Sequence, residues 1–165
     1  MLQHIYQYYL GEKSGVIYAL STGVIFLLTG IFLLLKFHIN PISKGLGTGL
    51  VIAGIILITG SFSTQYYNNQ KIKSLVERKA ETETQLQKSE IQRMDKVMNV
   101  TFHYAFITFA MLVIGLSLVI LFSKSFYWKG FSIAFIMMIL FIWIADTYNS
   151  KRNAEYFEMV KSYIS

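Results

Sequence analysis

Residues 15–35 read GVIYALSTGVIFLLTGIFLLL, 21 positions with no charge between Lys13 and Lys36. A helix needs roughly 20 apolar residues to cross a hydrocarbon core of about 30 Å. The bilayer interior offers no water to the peptide groups, so a spanning segment of this length is a helix and not a strand. Three further runs share the pattern, and the sequence predicts spans at 15–36, 44–64, 103–122 and 129–147. The expected fold class is an all-α integral membrane protein with four transmembrane helices, in one membrane domain. The first run lacks a small-x-small cleavage motif and reads as a retained anchor.

Working outward, the polar segments set the orientation. With four spans, segments 1–14, 65–102 and 148–165 share one side of the membrane and hold eleven Lys and Arg; the other side holds Lys36, Lys44, Lys124 and Lys129. The positive-inside bias therefore puts both termini in the cytoplasm. The Lys- and Ile-rich composition of this small chain fits a bacterial inner membrane. The net charge of +6 is spread along the polar segments, so it reads as topogenic and lipid-facing, with membrane lipid as a partner and no nucleic acid. Aromatic residues flank the spans at both predicted interfaces, among them Tyr66, Tyr67 and Tyr148 inside and Tyr127 and Trp128 outside.

Several chemistries are excluded. The chain has no cysteine, which removes thiolate metal sites and disulfide exchange. His4 and His103 lie on the opposite side of the membrane from His38, so the three cannot share one ion, and no cofactor is expected. The string Gly45-Leu46-Gly47-Thr48-Gly49 opens a span with no preceding strand, which is not the setting of a phosphate loop. Pro41, the only proline, lies in the first outer turn and breaks no span.

Small residues mark the helix faces that can pack closely in lipid. Ala19, Gly23 and Gly30 form one such stripe and Gly45, Gly49 and Ala53 another; they are expected either to pack on each other within the chain or to form a homo-oligomer seam. An offset of 85 residues places Phe37 on Phe122, Lys44 on Lys129 and Gly45 on Gly130. That match suggests two tandem helical hairpins of the same orientation.

The 65–102 excursion contains no glycine or proline. Ile72, Leu75 and Val76 fit one helical face, and Ile91 and Met94 another. The sequence predicts a cytoplasmic helical hairpin extending from helices 2 and 3, with its tip near residues 81–89 and a capping box at Ser89 and Gln92. Those five apolar residues are its candidate partner-binding set. The amphipathic tail, with Tyr156, Met159 and Val160, and the N-terminal segment, with Ile5, Tyr6 and Tyr9, are the intramolecular competitors for the same faces.

Asp146 is the only acid at the end of a span, and an acid at that depth is expensive unless paired or hydrated. His103 starts the antiparallel third helix at a similar depth, so a pair of His103 and Asp146 is geometrically reasonable, with Arg93 and Lys96 as competing partners and a helix-terminating acid that reaches the headgroups as the plainer reading. Glu90 is the third candidate for chemistry at the inner boundary. The poverty of intramembrane chemistry and the oversized excursion favour a non-enzymatic membrane subunit that binds or regulates a protein partner. A homo-oligomeric channel and a small lipid-directed membrane enzyme are the alternatives.

Overall fold

The structure, a computed structural model, describes residues 2–37, 39–77 and 83–162. His38 and the side chains of His4, Leu75 and Val76 lie outside the described residues. Five α-helices follow one another: α1 (Leu2–Lys36), α2 (Pro41–Glu77), α3 (Glu83–Lys96), α4 (Phe102–Phe122) and α5 (Phe126–Ser162), with a π-helical turn at Val97–Thr101 joining α3 to α4. No strand occurs among the described residues. Four of the helices, with α3 and α4 running on as one, are long and apolar enough to cross a membrane. Short turns at 37–40 and 123–125 define one end of the molecule, the turn pole. The start of α1 and the end of α5 lie at the other, the terminal pole.

Local chemistry fixes the helix starts at the turn pole. The Asn40 side chain accepts a hydrogen bond from the Ile42 amide at 2.9 Å, and Pro41 occupies the first helical position, where its missing N–H costs nothing. Ser123 leaves the helical region with ψ 133°, and its hydroxyl oxygen accepts from the Ser125 amide at 3.1 Å.

The helices pack in the spatial order α1, α2, α5, α4. Two kinds of glycine contact hold this order. Along α1 and α2 the contacts are reciprocal: a Cβ on Gly30 would lie 2.7 Å from the Gly47 oxygen, and one on Gly54 would lie 2.7 Å from the Gly23 oxygen. Between α2 and α5, a Cβ on Gly45 would strike the Tyr127 carbonyl and one on Gly130 the Ile42 carbonyl. The two stripes read from the sequence therefore do not pack on each other. Gly23 and Gly30 meet Gly54 and Gly47, whereas Gly45 and Gly49 turn to α5, with Ala53 wholly buried. Helix α2 carries two smooth faces, one toward α1 and one toward α5, because it has a neighbour on each side.

The α2–α5 contact has the reciprocity of a two-fold axis. Gly45 meets Tyr127 and Gly130 meets Ile42, and these pairs exchange under the 85-residue offset; Gly49 meets Ala134, its own equivalent, on the axis. Helices α2 and α5 are each 37 residues long and begin 85 residues apart. The offset also superposes Asn68 on Asn153, which are 0% and 3% exposed. Such isologous contacts are what two like hairpins side by side must make.

The halves are not equally tight. Helix α4 packs on α5 alone among the spanning helices, has no buried residue, and its Gly115 has open space where a Cβ would stand. The terminal pole also departs from the expected hairpin. Among the described residues α2 and α3 do not pack on each other; α3 packs on the end of α5. Ser89 lies inside α3 and not at its start, because the preceding Glu and Gln residues are good helix formers and nothing interrupts them.

Gly45→Leu is expected to lower the melting temperature in detergent sharply, at an overpacking cost of about 3 kcal/mol. Gly115→Leu is expected to leave it within a degree or two, since no atom stands in its way. Tryptophan-fluorescence melts of the purified variants check both.

Candidate functional site

The terminal pole holds a buried aromatic and charged cluster built from three helices. Ile5, Tyr8 and Tyr9 of α1, Met94 of α3, and Tyr156, Phe157 and Val160 of α5 form its core, with Ile72 and Ile91 packed against it. Met94 is wholly buried. Of the partner-binding set read from the sequence, the described members thus face the chain's own interior. The N-terminal segment and the tail fill the apolar stripe of the excursion.

Polar groups are threaded through this core. Glu90, 8% exposed, accepts two hydrogen bonds from Arg93, at 3.0 Å from Nε and 2.6 Å from a terminal nitrogen, and one from the Tyr156 hydroxyl at 2.9 Å. The Arg93 guanidinium lies 5.6 Å from the Tyr8 ring centre and 5.3 Å from that of Tyr9, within cation–π range. Tyr8 stacks on Tyr156 at 4.0 Å. The single proton of the Tyr8 hydroxyl bridges Glu12 at 2.8 Å and Asn153 at 2.6 Å. Burial, and then the Glu90 carboxylate, push the Tyr156 phenol above its ordinary value, so it stays a proton donor throughout the physiological range. Gln87 donates to the Val160 carbonyl at 2.8 Å and completes the tie between α3 and α5.

Toward the spans, this cluster gives way to a cavity of about 340 Å³ between α1, α2 and α5. Its walls are apolar over most of their area, with Val16, Leu57, Phe141 and Ile142 prominent, and it opens where Gly15, Ala19, Gly60 and Ala145 are too small to fill the gap. A Cβ at Gly60 would meet nothing within 4 Å. Asp146 lines this space together with Asn149, Arg152 and Glu12. Arg152 donates to the Gly11 carbonyl at 2.8 Å and approaches Glu12 at 3.5 Å, while its Nε is buried without a partner. No family model, curated protein or solved structure matches this chain.

The three residues singled out for chemistry go to three different places. Glu90 is spent on Arg93 and Tyr156. Asp146 lines the α1–α2–α5 cavity and has no hydrogen bond or ion pair among the described residues. His103 is exposed on α4, and its ring contact is with the neighbouring Tyr104. The candidate pair of His103 and Asp146 therefore does not form in this structure. No three His, Asp or Glu residues converge as a metal site among the described residues. Sequence reasoning placed Arg93 beside Glu90 but missed Tyr8 and Asn153. The 85-residue match of Asn68 and Asn153 was the available signal for the last, since an identity between two otherwise dissimilar segments beyond the spans marks a shared buried position.

Arg93→Ala is expected to destabilise the protein by about 2 to 3 kcal/mol, the lower end of the cost of breaking a buried pair, because the Arg93 side chain is 23% exposed. The double variant Glu90→Gln, Arg93→Met should recover most of that loss. Denaturation of the single and double variants in detergent measures both.

Proposed function

We propose that this chain is a non-enzymatic integral membrane subunit with both termini in the cytoplasm, whose terminal-pole layer binds and regulates a protein partner. The observation that supports this reading is the state of α3. Its apolar face is sealed by the Arg93, Glu90 and Tyr156 cluster, which leaves Gln85, Lys88, Gln92 and Asp95 on an exposed, polar outer face. A helix face held rigid beyond the spans contributes nothing to crossing a bilayer. It is suited to recognition by a polar surface, and preorganisation lowers the entropic cost of docking.

The channel alternative requires the Gly45, Gly49 and Ala53 face at a subunit seam, and α5 already covers that face within the chain. The lipid-enzyme alternative requires acids and a base to converge. Glu90, Asp146 and His103 stand apart.

Two measurements test the proposal. Alkaline phosphatase fused after Ser162 should be inactive in a bacterial host, and fused at Asn40 it should be active; the reverse pattern would refute the orientation. A photoreactive amino acid at Lys88 or Gln92 should give one discrete heterologous adduct in native membranes, absent from probes at Leu118 on α4. Adducts only to a second copy of the chain from every position would return the oligomeric reading to first place.

A further inference from the structure

We propose that the cavity between α1, α2 and α5 binds a monovalent organic cation with an apolar body, its charge set against Asp146 and its body in the lobe between α1 and α5. The inference goes beyond the partner-binding reading and does not depend on it.

The charge balance of the walls points to a cation. Arg152 is matched by Glu12, whose carboxylate also receives the Tyr8 proton. Asp146 is left in excess, without a hydrogen bond or ion pair among the described residues. A lone carboxylate between apolar helices carries a large desolvation cost, which a bound cation removes.

The donor set selects an organic cation over a metal ion. Small hard cations need six or more oxygen ligands, with several carboxylates among them, whereas no three His, Asp or Glu residues converge among the described residues and the Ser61 and Thr64 hydroxyls add only neutral oxygens. One carboxylate among hydrocarbon walls neutralises a charge but cannot replace a hydration shell. An amine or onium group attached to an apolar body requires only neutralisation and contact.

The shape provides the room and the entrance. Beside the inner cavity, a lobe of about 560 Å³ opens between α1 and α5, with Tyr18, Ile144 and Tyr148 at its rim and Phe141 shared by both spaces. Tyr18 and Tyr148 are 72% and 76% exposed, so the mouth faces sideways, toward lipid. Hydrophobic cations concentrate at the bilayer interface, and ring faces attract them as they enter.

Departure from the two-fold arrangement supports a built site. Ser61 and Asp146 are equivalent under the 85-residue offset, as are Thr64 and Asn149, and all four line the cavity. Only one half carries the acid. On the third wall, Gly15 and Ala19 of α1 correspond to Val100 of the π-helical turn and Tyr104 of α4, so the space is kept open on the α1 side by residues that the second hairpin does not share.

The test uses the full chain in phosphatidylcholine nanodiscs, with tetraphenylphosphonium as the probe and tetraphenylborate, of the same shape and opposite charge, as its control. The expected result is saturable binding of one phosphonium per chain and none of the borate. Asp146→Asn should weaken binding at least tenfold. Gly60→Leu, which fills the cavity from open space, should do so with an unchanged melting temperature. Phosphonium uptake no greater than that of empty nanodiscs, equal binding of the borate, or full binding by both variants would overturn the proposal.

Discussion

Close approach of two parallel helices at Gly45 and Gly130 is the constraint on which the rest of this structure depends. Each glycine lies against a carbonyl of the opposite helix, so neither position tolerates a side chain while the other stays in register. That contact sets α2 and α5 in the centre, sends α1 and α4 to the outside, and fixes the rotation of both central helices. In lipid there is no hydrophobic driving force between helices, and backbone contact along small residues is what remains to specify a partner. Once α2 and α5 are aligned, their equivalent residues at Ser61 and Asp146 share one cavity, and their ends deliver Ile72 from α2 and Tyr156 and Val160 from α5 to the layer at the terminal pole.

Much of this was legible in the sequence because the bilayer imposes a coarse rule that a single chain displays openly. Uninterrupted apolar runs gave four helices long and apolar enough to cross a membrane, and Asn40 with Pro41 gave a helix start. The glycine stripes were visible too, but their pairing was not. A stripe says that some backbone comes near, and only the three-dimensional order says whose. Gly47 and Gly54 were passed over beside the more regular Gly45, Gly49 and Ala53, although they supply the whole second face of α2. The tandem match of Phe37, Lys44 and Gly45 has the same offset as the reciprocal contacts between α2 and α5, and that offset also relates the buried Asn68 and Asn153.

The chemistry was harder to read for physical reasons. Depth along a helix can be counted from sequence, and His103 and Asp146 were placed at similar depth, but the direction in which each points depends on helix rotation about its own axis. Helix α4 is held by α5 alone among the spans and leaves His103 on the exposed side, whereas α5 turns Asp146 toward α1 and α2. Glu90 and Arg93 were visible as neighbours on one helix. What could not be read was that tyrosines from the chain's beginning and end would enclose them. A cavity, finally, is written in missing atoms, and Gly15, Ala19, Gly60 and Ala145 read equally well as packing residues until their surroundings are known.

The unequal tightness of the two hairpins has a mechanical consequence. Four helices are long and apolar enough to cross a membrane, and in a bilayer a change in thickness or lateral pressure would strain all of them, to be accommodated by tilting or sliding. Helices α1 and α2 are locked by reciprocal backbone contacts at Gly23 with Gly54 and Gly30 with Gly47, so they tilt as one rod. Helix α4, which has no buried residue and empty space at Gly115, yields first. Two similar hairpins thus form a stiff half joined to a compliant half, and in a bilayer the deformation would be concentrated in a single helix, the one joined through the π-helical turn to α3.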